Sequence, residues 1–383
     1  MAGKRGVTIN DIARLANVSK ATVSRVLNHK PDVDVETRER VLRIVEEQGF
    51  VPSIVASDLA GGRSRLVGVL APPFTWPMLP DVMRGVAEAV TETPFELVLY
   101  TINDSMRDMD RSRLIEHILA SKLTSGLLAI FPGPVAQQLT RLYKQRFPLV
   151  MIDDQAVPTD MPWIRSDNVG GAYAAVRHLI QLGHRRIAHI QGPMSYLVSR
   201  ERHQGYSQAL QETGLEINPD LVLEGDFQMI GGRAAAAKLF ALPPGKRPTA
   251  IFASSDLTAY GVLAAAEEYN IQIPGDMALV GFDDLPLSPY IHPPLTTVRQ
   301  DFAEMGRRGF ELLLSMIETP RPSFREGGNF STAQANGDMQ HTTGTGEVIH
   351  LALPAHLVVR VSSGAPPVES ETPDTPSLTF NKG

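Results

Sequence analysis

The first residues equipped for chemistry lie in VSKATVSRVLN, residues 18–28. Ser19, Lys20, Thr22, Ser24 and Arg25 gather around an apolar stripe, and short donors and cations of this kind suit phosphate oxygens and base edges. Much later, Asp283 and Asp284 of ALVGFDD form an adjacent acid pair after an apolar run that could in principle serve a metal or a reacting atom. Neighbours on an extended segment point to opposite sides, so a binding role for one of them is the better reading. No Walker loop, GxGxxG, GxSxG or HExxH is present, so no enzymatic reaction, resident metal or cofactor is expected. The chain has no cysteine, which excludes disulfides, thiolate zinc sites and cysteine nucleophiles and suits a reducing compartment.

Those residues need elements to position them. From Thr8, the apolar Ile9, Ile12, Ala13 and Ala16 fall at helical spacing, Asn17 interrupts, and Ser19 can cap a second helix to about Leu27. Asn tolerates the left-handed conformation of a tight turn, so two short helices so joined predict a helix-turn-helix. A third helix should run from an N-cap at Asp34 to Gly49. Periodicity alone leaves open a three-helix bundle with no DNA role. Residues 1–65 carry 11 Lys and Arg against 8 Asp and Glu, whereas the whole chain of 383 residues has a formal charge of -6. A basic head on an acidic body fits contact with nucleic acid.

From Leu66, short apolar runs alternate with helical stretches. VGVLA, ELVLYT, GLLAIF and PLVMID form one set, and RIAHIQG, LVLEG, AIFASSD and ALVGFDD a second. The pattern predicts βαβ units and two parallel-sheet lobes, with a ligand between them at the carboxyl ends of the strands. Crossings between lobes are expected near Ile164–Asp167, near His292–Leu295 and after Thr319. No apolar tract is long enough to span a bilayer, and the opening lacks the apolar run of a secretory signal, so a cytoplasmic protein without membrane contact is expected.

TINDIARLANVSKATVSRVLN resembles the head of the LacI/GalR family of bacterial transcription regulators, and the resemblance extends along most of the chain. It implies that Lys20 and Ala21 read bases, Lys20 through guanine O6 and N7 and Ala21 by a methyl contact only. It also places Thr8, Ser19, Thr22, Ser24, Arg25 and Asn28 at positions contacting phosphates and further bases. FVPSIVASDLAGGRS, residues 50–64, is similar to the family's hinge helix through Pro52, Ala56, Leu59 and Gly61. In the family the leucine matching Leu59 wedges into the minor groove. Ser53, Ser57 and Asp58 depart from the usual hinge wording.

For the body the resemblance implies a periplasmic-binding-protein-like sugar sensor. Sugars need planar hydrogen-bonding groups and aromatic faces. Arg202 of SRERHQGY matches the family's ligand-gripping arginine, Asp283 its hydroxyl-accepting aspartate, and Ser255 a polar pocket position. Trp76 and Val82 follow the first strand, and Asp153, Ser166, Tyr196, Phe227 and Phe302 fall on other pocket positions. His184 of LGHRR matches a structural turn.

The expected organisation is an all-α helix-turn-helix head over 1–50, a hinge over 51–65 and an α/β core over 66–361. Within that core, lobe 1 takes about 66–164 plus 295–319, and lobe 2 about 165–292 plus 347–361. An insert at 321–346 and a disordered tail at 362–383, without heptads for a coiled coil, complete the chain. The function expected is a homodimeric repressor of carbohydrate-use genes, released from a palindromic double-stranded DNA operator when a sugar binds between the lobes. A corepressor-dependent regulator answering to a purine or other metabolite is the near alternative. A solute-binding receptor is the alternative from another class.

Overall fold

The computed structural model describes residues 7–27, 30–50, 64–102, 108–121, 123–132, 135–153, 161–319 and 348–364. Asn28, the hinge positions Ala56 and Leu59, the insert and the tail beyond 364 lie outside the described residues.

The head forms three helices, Ile9–Leu15, Lys20–Leu27 and Val35–Glu47. Thr8 and Asp11 make a reciprocal capping box at the first, and Asn17 takes φ 52° at the turn. Ser19 Oγ accepts from the Thr22 amide at 3.0 Å, and Asp34 Oδ1 from the Thr37 amide at 2.8 Å, so both expected caps are in place. Ile12, Ala16, Val23, Val26 and Val41 close a core of their own.

The body holds two parallel sheets. The first contains β1 (Leu66–Ala71), β2 (Glu96–Thr101), β3 (Leu127–Ile130), β4 (Leu149–Ile152), β5 (Trp163–Ser166) and β11 (His350–Leu353), in the order β11-β5-β4-β3-β1-β2. The second contains β6 (Ile187–Gln191), β7 (Val222–Glu224), β8 (Ala250–Ala253) and β9 (Ala278–Val280), in the order β7-β6-β8-β9. A short antiparallel pair, β10 (Thr297–Arg299) with β12 (His356–Val358), lies beside the second sheet, bridged to it at Val280 and Asp283. β1, β3 and β4 are buried along their whole length, as the unbroken apolar runs demand. Helices Leu79–Thr91 and Phe302–Glu318 approach so closely that a Cβ at Gly306 would collide with the Val82 carbonyl.

Three boundaries differ from expectation. VIHLALPAHLVVR makes two strands, because Pro354 cannot extend the first; β11 then pairs with β5 in the first sheet rather than joining lobe 2. The remaining crossings fall after Arg299 and around Pro354, because β10 stays beside the second sheet. The tail begins later than 362. Ser362 Oγ donates to the Leu279 carbonyl at 2.7 Å and accepts from the Thr296 amide at 2.8 Å, which pins this stretch to the second lobe. Among the described residues no helix is long and apolar enough to cross a membrane.

Candidate functional site

In the head, the helix Lys20–Leu27 buries Val23 and Val26 and leaves Lys20, Ala21 and Arg25 exposed. Ser19 and Thr22 hydroxyls meet each other at 2.9 Å, so both are partly committed to the cap. Arg25 lies 3.5 Å from Asp32 with both side chains more than half exposed, a weak pairing that a phosphate can displace. Ser19, Thr22 and Arg25, spaced three residues apart, share one side of the helix, with Lys20 and Ala21 exposed at its start, the end by which a second helix enters a major groove.

The second constellation lies at the carboxyl ends of both sheets. Phe131 follows β3, Asp153 follows β4, Phe227 follows β7 and Asp283 follows β9, and all four have positive φ. Non-glycine residues in that region cost energy, and their gathering at strand ends marks the cleft between the lobes as a site. Phe131 escaped the sequence reading, since nothing in GLLAIF separates its last residue from a strand core.

Arg202 sits in the helix Leu197–Glu212 and is almost fully buried. Its Nη1 stands 3.6 Å from Asp283 Oδ1 and donates to the Ser254 carbonyl, while its Nε donates to Asn168 Oδ1 at 2.9 Å. The guanidinium also lies over the Phe282 ring, 3.8 Å from its centroid. Asp283 Oδ1 accepts from Gln300 Nε2 at 2.7 Å. Burial pushes the Asp283 carboxyl up to about 6, with Arg202 and Gln300 opposing. Asp256, the first residue of the helix Asp256–Glu268, accepts from the Leu285 amide and from the hydroxyls of Ser288 and Thr297. Burial, and next the Asp283 charge, push it up to about 8. Asp284 turns away from Asp283 toward Arg299 and Arg360, at 2.7 and 2.6 Å, so the two acids do not share a target.

Aromatic rings stand on both sides. Trp76 and Phe131 lie 5.7 Å apart in the first lobe, and Tyr196 and Phe227 stack at 6.1 Å, nearly parallel, in the second. Gly192 makes room for that stack, since a Cβ there would collide with the Phe227 ring. Buried polar atoms without a hydrogen-bond partner among the described residues cluster here too: Ser166 Oγ at the end of β5, Gln191 Oε1 at the end of β6, and Gln300 Oε1. Orphaned polar atoms at one place await a polar partner.

The pocket positions drawn from the resemblance do not all serve alike. Val82 has no exposed surface and packs in the first-lobe core, and Phe302 is nearly as buried in the same cluster. Ser255 caps the helix Asp256–Glu268 and donates to the Phe227 carbonyl at 3.3 Å, holding that ring's backbone. Asp153 is buried at its strand end. His184 meets Thr249 at 3.0 Å in a turn, as expected. No group of three or more metal-ligating side chains occurs among the described residues.

Known proteins match both parts. The family described as bacterial regulatory proteins, lacI family, matches residues 8–53, and the periplasmic binding protein-like domain matches 176–326. The ribose operon repressor of Haemophilus influenzae is 35% identical over 320 residues, covering 83% of this chain and 94% of its own. The transcriptional repressor PurR of Aliivibrio fischeri is 33% identical over 312 residues, covering 81% and 92%. Among solved structures, the lac repressor dimer bound to operator and an anti-inducer superimposes with a TM-score of 0.78 at 27% identity, covering 94% of this chain and 99% of that one. A complex of the regulator CelR with cellobiose gives 0.65 at 32% identity, covering 93% and 99%. With a helix-turn-helix head, a two-lobed sensing core and relatives that repress transcription rather than catalyse, this chain belongs to the LacI family of bacterial regulatory proteins.

Proposed function

We propose that the protein is a cytoplasmic homodimer that represses carbohydrate-use genes and is released from a palindromic operator by a sugar held between its lobes. The observation that carries the sugar is the buried Arg202–Asp283 pair flanked by two aromatic pairs. A guanidinium and a carboxylate bracket neighbouring hydroxyls, while rings cover the apolar face of a pyranose or furanose. Ser166, Gln191 and Gln300 supply further unpartnered polar atoms. The two heads would read adjacent major grooves, with Lys20 and Ala21 at base edges and Thr8, Ser19, Thr22, Ser24, Arg25 and Asn28 around them. Ala56 and Leu59 would enter the central minor groove. A sugar shifts this equilibrium only through its different affinity for the two lobe arrangements, and about 1–3 kcal/mol of coupling is ordinary.

Selection of the full-length dimer on random duplexes gives the operator, and titration of that complex with D-ribose, cellobiose and purine bases tests the effector. Release by a sugar is the expected result. Tighter operator binding with a purine would replace the sugar reading by corepression. Recovery of no palindrome would overturn the dimeric operator reading.

A further inference from the structure

Arg202 is held by more than its acid. Asn168, the first residue of the helix Asn168–Gln181, accepts from Arg202 Nε at 2.9 Å through Oδ1 and donates through Nδ2 to Glu201 Oε2 at 3.1 Å. Glu201 Oε1 in turn lies 2.9 Å from Arg165 Nη1. Arg165 belongs to β5 in the first sheet, whereas Glu201 and Arg202 belong to a helix of the second lobe. Arg165 is itself fixed, with its guanidinium 4.0 Å over the Trp163 ring, which stacks at 4.7 Å on His350 of β11. A continuous run of contacts therefore joins the edge of the first sheet to the arginine in the cleft. Its links are side chains with at most about a quarter of their surface exposed, where charged hydrogen bonds keep most of their strength.

We propose that Asn168 and Glu201 are positioning residues for Arg202, and that Arg165 ties the orientation of that guanidinium to the first lobe. The assignment rests on Arg202 as the ligand grip. Asn168 fixes the plane of the fork by occupying Nε, which leaves the Nη atoms for Asp283, the Ser254 carbonyl and the effector. Glu201, together with the Ser166 carbonyl at 3.3 Å, fixes the Asn168 amide against flipping by accepting from its Nδ2. A change in the angle between the lobes then moves Arg165, and with it the fork that meets the effector.

The test uses full-length protein labelled with 15N-arginine, without any sugar. The Nε–H resonance of Arg202 is assigned by its disappearance in Arg202→Lys. In the native protein it should exchange slowly with solvent. Asn168→Ala should speed that exchange by about tenfold or more, through loss of one charge-assisted hydrogen bond. Arg165→Met should shift the resonance while leaving the thermal midpoint of the second lobe in place. Glu201→Gln, which keeps an acceptor for Asn168 and removes the countercharge of Arg165, should reproduce that shift and serves should Asn168→Ala not fold. Native exchange in Asn168→Ala, or an unmoved resonance in both Arg165→Met and Glu201→Gln, overturns the proposal. A failed sugar panel would leave these spectra unaffected, so the two readings fail separately.

Discussion

Replacing Asp283 by Asn removes a charge at nearly constant shape, so its cost follows from electrostatics. Asp283 Oδ1 stands 3.6 Å from Arg202 Nη1, and both residues are about 5% exposed. At an effective dielectric of about 20 the gross attraction is about 4.6 kcal/mol. Losing one partner of a buried pair ordinarily costs about 3–5 kcal/mol. Two effects reduce this here. Arg202 keeps Asn168 and the Ser254 carbonyl as acceptors, and Asp256 is freed from a like charge that helps hold its carboxyl up. In addition, the variant escapes the cost of ionising a buried carboxyl raised to about 6, roughly 2–3 kcal/mol at pH 7, so the expected net loss in unfolding free energy is about 1 kcal/mol. Urea unfolding of the full-length dimer, followed by circular dichroism, reads it. A loss below about 0.5 kcal/mol would refute the pairing as an energetic feature.

The same variant has a pH signature. Asp283 and Asp256 are pushed up to about 6 and about 8, against roughly 4 for an unfolded aspartate. Between those values the folded chain keeps protons that the unfolded chain has lost. Stability from these groups is thus complete below about pH 4 and falls as pH rises, by up to about 1.4 kcal/mol per unit for each proton. The native protein should decline until near pH 8. In Asp283→Asn one proton no longer counts and Asp256 titrates lower, so the decline should be shallower and end earlier. An identical profile would show that the two carboxylates do not sense each other.

Lys20→Ala should relax preference at one base pair per half-site by about 1–3 kcal/mol, read from selected duplexes; an unchanged preference matrix contradicts the base-reading assignment. Gly306→Ala drives a Cβ into the Val82 carbonyl and should cost about 1–3 kcal/mol in the first lobe, measured through Trp76 and Trp163 fluorescence on unfolding, and a neutral change would mean the helices separate freely. Gly192→Ala displaces Phe227 from Tyr196 and should weaken sugar binding in calorimetry while sparing operator affinity. Full sugar affinity in that variant would remove the stack from the site.

Much of this was legible in the residues. All eight apolar runs read as strands form strands, and β1, β3, β4 and β8, buried along their whole length, were the plainest, because a parallel strand buried on both faces must be apolar along its length. The caps at Ser19 and Asp34 were legible because each side chain satisfies an amide only a few residues away. The short strands β5 and β10 were not, since WIRS and TVR are neither alternating nor uniformly apolar and are fixed by partners far along the chain. Distance in sequence also hid Asn168 and Glu201. Nothing local marks them, and their roles exist only once residues 165, 168 and 202 are brought together.

The adjacent acids at the end of β9 tie the site to the pivot between the lobes. Asp283 turns to Arg202 and Gln300 in the cleft, while Asp284 turns to Arg299, at the second crossing, and to Arg360, just after β12, whose partner β10 ends at that crossing. The first crossing is laced to the third, because the Asp167 amide donates to the Leu353 carbonyl at 2.8 Å. All three crossings are thus tied at one level of the molecule, and the residue proposed as ligand grip is one peptide bond from that tie. Two residues with positive φ are needed to send neighbouring carboxylates in these directions, and Asp283 and Asp284 have φ 125° and 55°. Strain of that kind persists only where surrounding contacts determine it. Here those contacts join the crossings, so on the proposed sugar reading occupancy of the cleft and geometry of the crossings would act on the same two residues.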